Sequence, residues 1–296
     1  MRKERFLTRR RFLQGTAGVL VAASATGAYT WRVEPHWVEV VRRDLPIAYL
    51  PSELVGRTLV QLSDLHAGPE VEDDYLIRSL QYVSDLDADI HALTGDFMTC
   101  SSGEQVEHAT RILAHLRPAH LATLGVLGNH DYGHGWNQPA VADALTDRLR
   151  DLGIVLLRNE RRDVHGLTVA GLDDLWSGRF APEQVLPTLE TNRANLVLCH
   201  NPDGADEGGW CGYQGWILCG HTHGGQCKPP FLPPPLLPVK NRRYTAGEID
   251  LSDGRRLYIN RGLGHLRRVR FNVRPEITVF TLRQQAPDGH IGPDST

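Results

Sequence analysis

The chain has 296 residues, is 41% hydrophobic and carries a formal charge of −3 at pH 7. This length and apolar content suffice for one large buried core and exclude a mostly disordered or fibrous chain. Residues 1–28 hold six basic groups and only Glu4 as an acid, so the remainder carries −8, has no Lys/Arg tract, and is not expected to bind nucleic acid.

The first element in chain order is basic, then apolar. Arg2, Lys3, Arg5 and the run Arg9, Arg10, Arg11 precede GTAGVLVAASATGAYT, a stretch of small and apolar residues without an acid. TRRRFLQG resembles a twin-arginine export signal, with Arg9 and Arg10 as the pair. Gly, Ser and Thr dilute the apolar stretch below the roughly 20 strongly apolar residues that a stable membrane span needs. Residues 1–28 are therefore expected to be a signal segment read by the twin-arginine export machinery. It is either cut after Ala25 or Ala28 or retained as an anchor that associates with the membrane, which makes the expected location periplasmic or cell-surface.

Beyond the signal, residues 29–283 are expected to form a single domain and 284–296 a flexible tail. WVEVVRRDLPI and RTLVQLSD read as β-rich segments, and apolar positions at helical spacing predict a helix from Asp73 to Val83. ADIHALTGD, LATLGVLGNHD and their neighbours then alternate with helical EQVEHATRILAHL and PAVADALTDRLRDLG, the last closed by Gly153. Repeated strand-then-helix units imply parallel pairing with right-handed crossovers. After Gly153 the chain turns strand-heavy: IVLLRN, LTVAGLDD, ANLVLCH, GWILCGH, RLYINRG and EITVFTL, with one helix expected in PEQVLPTLETN. KPPFLPPPLLP reads as an extended, exposed loop.

The five cysteines, Cys100, Cys199, Cys211, Cys219 and Cys227, lack CxxC spacing and outline no disulfide framework. Cys211, Cys219 and Cys227 recur every eight residues, which admits a structural zinc knot; Cys199 and Cys219 also end the apolar runs LVLC and WILC, which suits buried thiols.

The chemistry-bearing residues fall at one kind of position. Asp64 and His66 follow VQLS, Asp96 follows ALTG, Asn129 and His130 follow GVLG, His200 follows LVLC, and His221 and His223 follow WILCG. Each set lies just past the C-terminal end of an expected strand, where ligands bind in open α/β sheets, so five loops should converge on one site. Carboxylate oxygens, imidazole nitrogens and a neutral amide oxygen suit two ions of Mn, Fe or Zn. The intervening glycines, Gly95, Gly128, Gly220, Gly224 and Gly225, permit sharp turns and close approach.

In that order, DLH, TGD, GNHD, CHNP and GHTHGGQ resemble the motifs of the calcineurin-like metallophosphoesterases, over residues of about 57 to 282. The GHTHGGQ segment, the Pro-rich stretch after it, YINRGLG and RPEITVFTL are similar to the bacterial twin-arginine-exported phosphodiesterase branch. The resemblance implies an α/β (α+β) fold, a four-layer αββα sandwich of two mixed sheets flanked by helices. It implies that Asp64, His66 and His223 hold one divalent ion, Asn129, His200 and His221 the other, and that Asp96 bridges them. His130 would be catalytic, stabilising charge on the phosphate or protonating the leaving oxygen, with Asp131 orienting it. Two dications about 3.5 to 4 Å apart would supply a bridging hydroxide for in-line attack on phosphorus.

The expected activity is that of a dinuclear-metal phosphoesterase, most readily a phosphodiesterase; manganese suits its ligands. Two rivals stay open: a pyrophosphohydrolase of a nucleotide-linked lipid of the UDP-diacylglucosamine type, and a non-catalytic secreted zinc-binding module. Secondary candidates are Asp173 and Asp174 as acceptors orienting a ligand histidine, His134 as a pocket residue, and Arg261, Arg267 and Arg268 as phosphate contacts. Phe231, Leu232, Leu236 and Leu237 offer an apolar rim for a lipid- or envelope-linked substrate.

Overall fold

A computed structural model describes residues 9–99 and 104–285. It opens with an exposed helix, α1 (Arg9–Ala28), which contains Arg9 and Arg10 in its first turn. No helix among the described residues is long and apolar enough to cross a membrane. Irregular helical turns over 29–36 lead from it into the domain.

The first half builds one sheet and the helices over it: β1 (Glu39–Ile47), β2 (Thr58–Leu62), α2 (Asp73–Asp85), β3 (Ile90–Thr94), α3 (Glu104–Leu113), β4 (Ala122–Val126), α4 (Pro139–Asp151) and the short β5 (Val155–Leu156). Each helix forms where the sequence places one apolar stripe. In α2 the buried face is Tyr75, Leu76, Leu80 and Val83, and Asp73 and Asp74 complement the positive end of the helix dipole. Pro139 starts α4, where its missing N–H costs nothing, and Ala142, Leu145 and Leu149 face inward. Gly153, at φ +79°, ends it, as the sequence predicts.

The second half supplies β6 (Glu160–Val164), β7 (Leu167–Gly171), β8 (Ala194–Leu198), β9 (Gly215–Cys219), β10 (Gly247–Asp250), β11 (Arg255–Ile259) and β12 (Glu276–Gln284). Two six-stranded mixed sheets result, in the orders β1-β12-β2-β3-β4-β5 and β10-β11-β9-β8-β7-β6. The expected parallel run β2–β3–β4 is present, and β7, β8, β9 and β11 also pair in parallel. The edge strand β6 is mostly charged and exposed, a composition that discourages pairing with another chain.

Three apolar clusters hold the layers. Leu59, Ile90, Leu124, Leu196, Leu198 and Leu218 interdigitate between the sheets, each such fully buried side chain contributing about 1.5–3 kcal/mol. A second cluster joins the first sheet to α2, α3 and α4, and a third lies on the outer side of the second sheet. The outer layer over the second sheet is not built from long helices. PEQVLPTLETN, expected as one helix, forms two short 3-10 turns, Pro182–Gln184 and Leu186–Thr188, because Pro182 and Pro187 each fit only a first turn.

Two further expectations change. EITVFTL, counted among the strands of the strand-heavy half, crosses back as β12 into the first sheet, between β1 and β2. β12 runs on to Gln284, and the Gln285 N–H donates to Ile47 O at 3.0 Å; the rest of the expected tail lies outside the described residues. Among the described residues no candidate metal-holding group contains a cysteine, so the zinc knot does not form there: Cys219 is buried in the sheet, Cys211 is exposed and Cys227 is half-buried. Cys100 lies outside the described residues.

Candidate metal centre

All five candidate loops leave the C-terminal ends of their strands at one edge of the two sheets: β2 before Asp64 and His66, β3 before Asp96, β4 before Asn129 and His130, β8 before His200, and β9 before His221 and His223. Three overlapping groups come together there, Asp64/His66/His223, His66/Asp96/His130 and Asp96/His200/His221, each with ligand atoms within 4.8 Å of one another. No cysteine belongs to any such group among the described residues.

The loops bend through unusual backbone. Asp64, His66, Asp96, His221 and His223 all have φ between +48° and +70°, the left-handed region that non-glycine residues seldom occupy. Such strain persists only where the surroundings over-determine it, and it clusters at functional sites. Glycine is required alongside: a Cβ on Gly128 would strike the Asp96 carboxylate, and one on Gly220 would strike Ser63 and Asp64.

Hydrogen bonds fix three of the imidazoles, His66, His200 and His221, so that one nitrogen turns inward, whereas His223 Nδ1 is buried without a partner. His200 Nδ1 meets Thr94 O at 2.6 Å, leaving Nε2 3.3 Å from Asp96 Oδ2. His221 Nε2 meets Pro238 O at 2.8 Å, which leaves Nδ1 3.2 Å from His200 Nε2. His66 Nδ1 lies 3.0 Å from Thr99 Oγ1, and its Nε2 lies 3.5 Å from Asp96 Oδ2 and 3.1 Å from His223 Nε2. A carbonyl accepts only from an N–H, so these contacts place a hydrogen on His200 Nδ1 and on His221 Nε2, away from the site, and turn His200 Nε2 and His221 Nδ1 into it; the proton that Asp96 favours on His200 Nε2 is the one a bound cation would displace.

Burial pushes the Asp64 carboxyl up to about 7, and pushes His66 and His221 down to about 3, toward the neutral, ligating imidazole. Burial also works against charge on His200 and Asp96, but their mutual attraction and hydrogen bond outweigh it, holding His200 well above and Asp96 well below their ordinary values. No Lys or Arg pairs with Asp64 or Asp96 among the described residues; their ion-pair partners are all histidines.

A divalent cation fits this donor set. Both side-chain polar atoms of Asn129 are buried and lack any hydrogen-bond partner, although an unmade bond on a buried amide costs about 1–3 kcal/mol. An amide oxygen beside carboxylates and inward imidazole lone pairs is a mixed O/N set suited to Mn, Fe or Zn.

Several secondary expectations change. Asp131 does not orient the His130 ring. Its carboxylate accepts the backbone N–H groups of Asp96 at 2.9 Å, Phe97 at 2.9 Å and Gly128 at 2.8 Å, and so braces the loop carrying Asp96. His130 is set by its own N–H, which donates to Asp96 Oδ1 at 2.9 Å. Neither Asp173 nor Asp174 accepts a hydrogen bond from a candidate ligand histidine among the described residues: Asp173 accepts the Tyr132 hydroxyl at 2.5 Å, Asp174 accepts Ser177 N at 2.7 Å, and the Asp174 carboxylate acts on His200 only through its charge. Arg261 is occupied by Glu276 and Glu39, and Arg268 by Glu72. His134 and Arg267 are exposed.

Sequence reading missed the acceptors that orient the histidines, because backbone carbonyls such as Thr94 O and Pro238 O carry no residue signature. It also missed Arg270, fully buried, whose guanidinium donates to the carbonyls of Arg261, Gly262 and Gly264 and so holds the loop that backs Asp64 and His223. A cavity of about 560 Å³ lined by Tyr49, Arg193, Tyr213 and Arg256 lies at the opposite, N-terminal ends of β8, β9 and β11, away from this chemistry.

The family described as calcineurin-like phosphoesterase matches residues 57–225. Phosphodiesterase YaeI of Escherichia coli (strain K12) is 31% identical over 93% of this chain and 99% of that protein. Uncharacterized metallophosphoesterase YkuE of Bacillus subtilis (strain 168) is 31% identical over 94% of this chain and 98% of that protein. UDP-2,3-diacylglucosamine pyrophosphatase LpxG of Chlamydia trachomatis (serovar D) is 26% identical over 88% of this chain and 94% of that protein.

Because the Asn129 amide meets no protein partner, Asn129→Ala should cost little thermal stability in chelator while clearly lowering the divalent metal retained by the purified protein. Paired melting curves and elemental analysis check this; a variant that melts far lower in chelator yet keeps its metal would contradict the assignment.

Proposed function

Since the chain belongs to the calcineurin-like phosphoesterase family and is a metal-dependent phosphoric ester hydrolase, we propose that it cleaves phosphodiesters at a centre of two divalent ions. The observation that carries this reading is Asp96: one oxygen, Oδ2, lies 3.5 Å from His66 Nε2 and 3.3 Å from His200 Nε2, in reach of both candidate ligand groups. Asp64, His66 and His223 would hold one ion, and Asn129, His200 and His221 the other, with Asp96 shared. When bound, two such ions supply an activated water and neutralise the phosphate oxygens.

The chain's own residues do the rest. His130 stands half-buried at the rim, its ring 5.0 Å from that of His66, while its backbone N–H is tied to Asp96. A backbone anchor with a half-exposed ring suits a group that donates a proton or hydrogen bond to the ester oxygen as the bond to phosphorus breaks. The Asp131 brace keeps Asp96 in register with His130, so carboxylate and imidazole approach the substrate as one unit.

Two features support a lipid- or envelope-linked ester. The Pro-rich segment that supplies Pro238 O to His221 also exposes Phe231, Leu232 and Leu236, which are 104%, 60% and 76% exposed. The relative named as a UDP-2,3-diacylglucosamine pyrophosphatase supports the rival reading, cleavage of a nucleotide–lipid pyrophosphate. Export by the twin-arginine route and association of α1 with a membrane surface rest on TRRRFLQG and on the exposed Phe12, Leu13, Val19, Leu20 and Val21.

His130→Ala should lower kcat on bis(p-nitrophenyl) phosphate by about 10²–10⁴-fold with bound metal unchanged; equal rates in both proteins would remove His130 from the chemistry. Incubation with UDP-2,3-diacylglucosamine separates the two substrate readings: release of UMP at a rate matching or exceeding diester turnover favours the pyrophosphohydrolase. Replacing Arg9 and Arg10 together by Lys should leave the protein in the cytoplasmic fraction, and unchanged export would reject the twin-arginine route.

A further inference from the structure

Two tryptophans meet beside the candidate centre, and the chemistry described so far uses neither. Trp136 follows β4 on the loop that carries His130, and Trp176 lies on the loop after β7, so one indole comes from each sheet. Their rings stack, with centroids 4.9 Å apart and planes 28° from parallel. Trp176 meets the His221 ring edge-on at 4.4 Å, and Trp136 lies 6.1 Å from the His130 ring. The pair thus reaches from a candidate metal ligand to the candidate proton donor.

These indoles are not core packing. Trp210 and Trp216 serve that purpose, at 8% and 5% exposure, whereas Trp136 and Trp176 are only half-buried. Trp136 also sits at φ +59°, a conformation that a bulky residue adopts only when its surroundings impose it. The imposition is visible: Trp136 N donates to Gly133 O at 3.0 Å, and Gln138 N donates to Tyr132 O at 2.8 Å. The Trp176 loop is fixed as firmly, with Ser177 N and Ser177 Oγ donating to Asp174 at 2.7 and 2.8 Å. The Tyr132 hydroxyl donates to Asp173 and joins the two loops. Backbone strain, two rigid loops and a cross-link between them hold two large rings at the rim of a reactive centre.

We propose that Trp136 and Trp176 form a specificity subsite for a planar aromatic or heteroaromatic group esterified to the phosphate. The proposal rests on the phosphoesterase reading and adds a substrate class to it. Indoles present large, rigid, apolar faces at small cost in side-chain entropy, and stacking on them favours flat π systems over alkyl chains of similar size. With the phosphate held between His130 and the ligand set, its ester substituent would lie against the tryptophans. A lone phosphate or a methyl ester would gain nothing from them.

Binding of non-hydrolysable phosphonates tests this without relying on turnover. Titration calorimetry on the Mn-loaded full chain compares phenylphosphonate, hexylphosphonate and methylphosphonate. The wild-type protein should bind the phenyl compound roughly tenfold tighter than the other two. Trp176→Ala and Trp136→Ala should each abolish that preference while leaving methylphosphonate affinity and metal content unchanged, and Trp176→Phe should restore most of it. Equal affinity for all three compounds in the wild type would overturn the proposal, as would parallel loss for all three in the variants. Equal binding of hexyl and phenyl groups would reveal a merely apolar site and overturn the aromatic claim. Turnover of bis(p-nitrophenyl) phosphate, followed separately, reports on the parent reading, so the two fail independently. If Trp176→Ala does not fold, Trp176→Leu takes its place.

Discussion

Two buried carboxylates, Asp64 and Asp96, without a Lys or Arg partner among the described residues, are the constraint around which this edge of the molecule is arranged. Carboxylates removed from water need compensating positive charge, and several kcal/mol per ion is at stake. Here the compensation is left to imidazoles and to the cations that the family uses. Everything near them follows: inward lone pairs, an amide with no protein partner, and backbone N–H groups aimed at the carboxylates, as from His130 to Asp96 and from His221 to Asp64 at 3.0 and 3.1 Å.

The same contacts stitch the two sheets together. His221 N to Asp64, His200 Nδ1 to Thr94 O, and Gln61 Nε2 to Cys219 O at 2.9 Å all run from one sheet to the other. Two of the three candidate groups, Asp64/His66/His223 and Asp96/His200/His221, draw on both sheets, the first sheet supplying Asp64, His66 and Asp96 and the second His200, His221 and His223. The apolar layer between the sheets brings them to a common edge, and the polar seam sets how far apart the two halves of the site stand.

Rigidity comes from elements that never touch a substrate. Asp131 gathers the N–H groups of two loops, and Arg270 gathers carbonyls of a third. Arg270 also anchors the domain entrance, because its backbone N–H donates to Thr30 O at 3.0 Å. A fully buried guanidinium without a carboxylate partner is costly, and four carbonyl contacts to its two terminal nitrogens offset much of that cost, while Nε has no partner. Precise ligand geometry on strained loops requires such support, since positive-φ residues would otherwise relax.

Much of this was legible in the residues. Periodicity located α2, α3 and α4 and the parallel run of the first sheet, and the order of DLH, TGD, GNHD, CHNP and GHTHGGQ singled out the side chains that converge. Where local signals misled, a tertiary partner decided. EITVFTL has the composition of any strand, and only pairing with β1 and β2 assigns it to the first sheet. Asp131 and Arg261 have the chemistry of site residues, but Asp131 is consumed by backbone N–H groups and Arg261 by Glu276 and Glu39.

The sequence by itself determined which donors exist, their order along the chain and the strand ends from which they leave, because side-chain chemistry and hydrophobic period are local properties. The packing of the two sheets decided which of those donors meet, which nitrogen of His66, His200 and His221 turns inward, and that two tryptophans from opposite sheets stack beside them. Those outcomes depend on distances between residues far apart in the chain, and no local pattern encodes such distances.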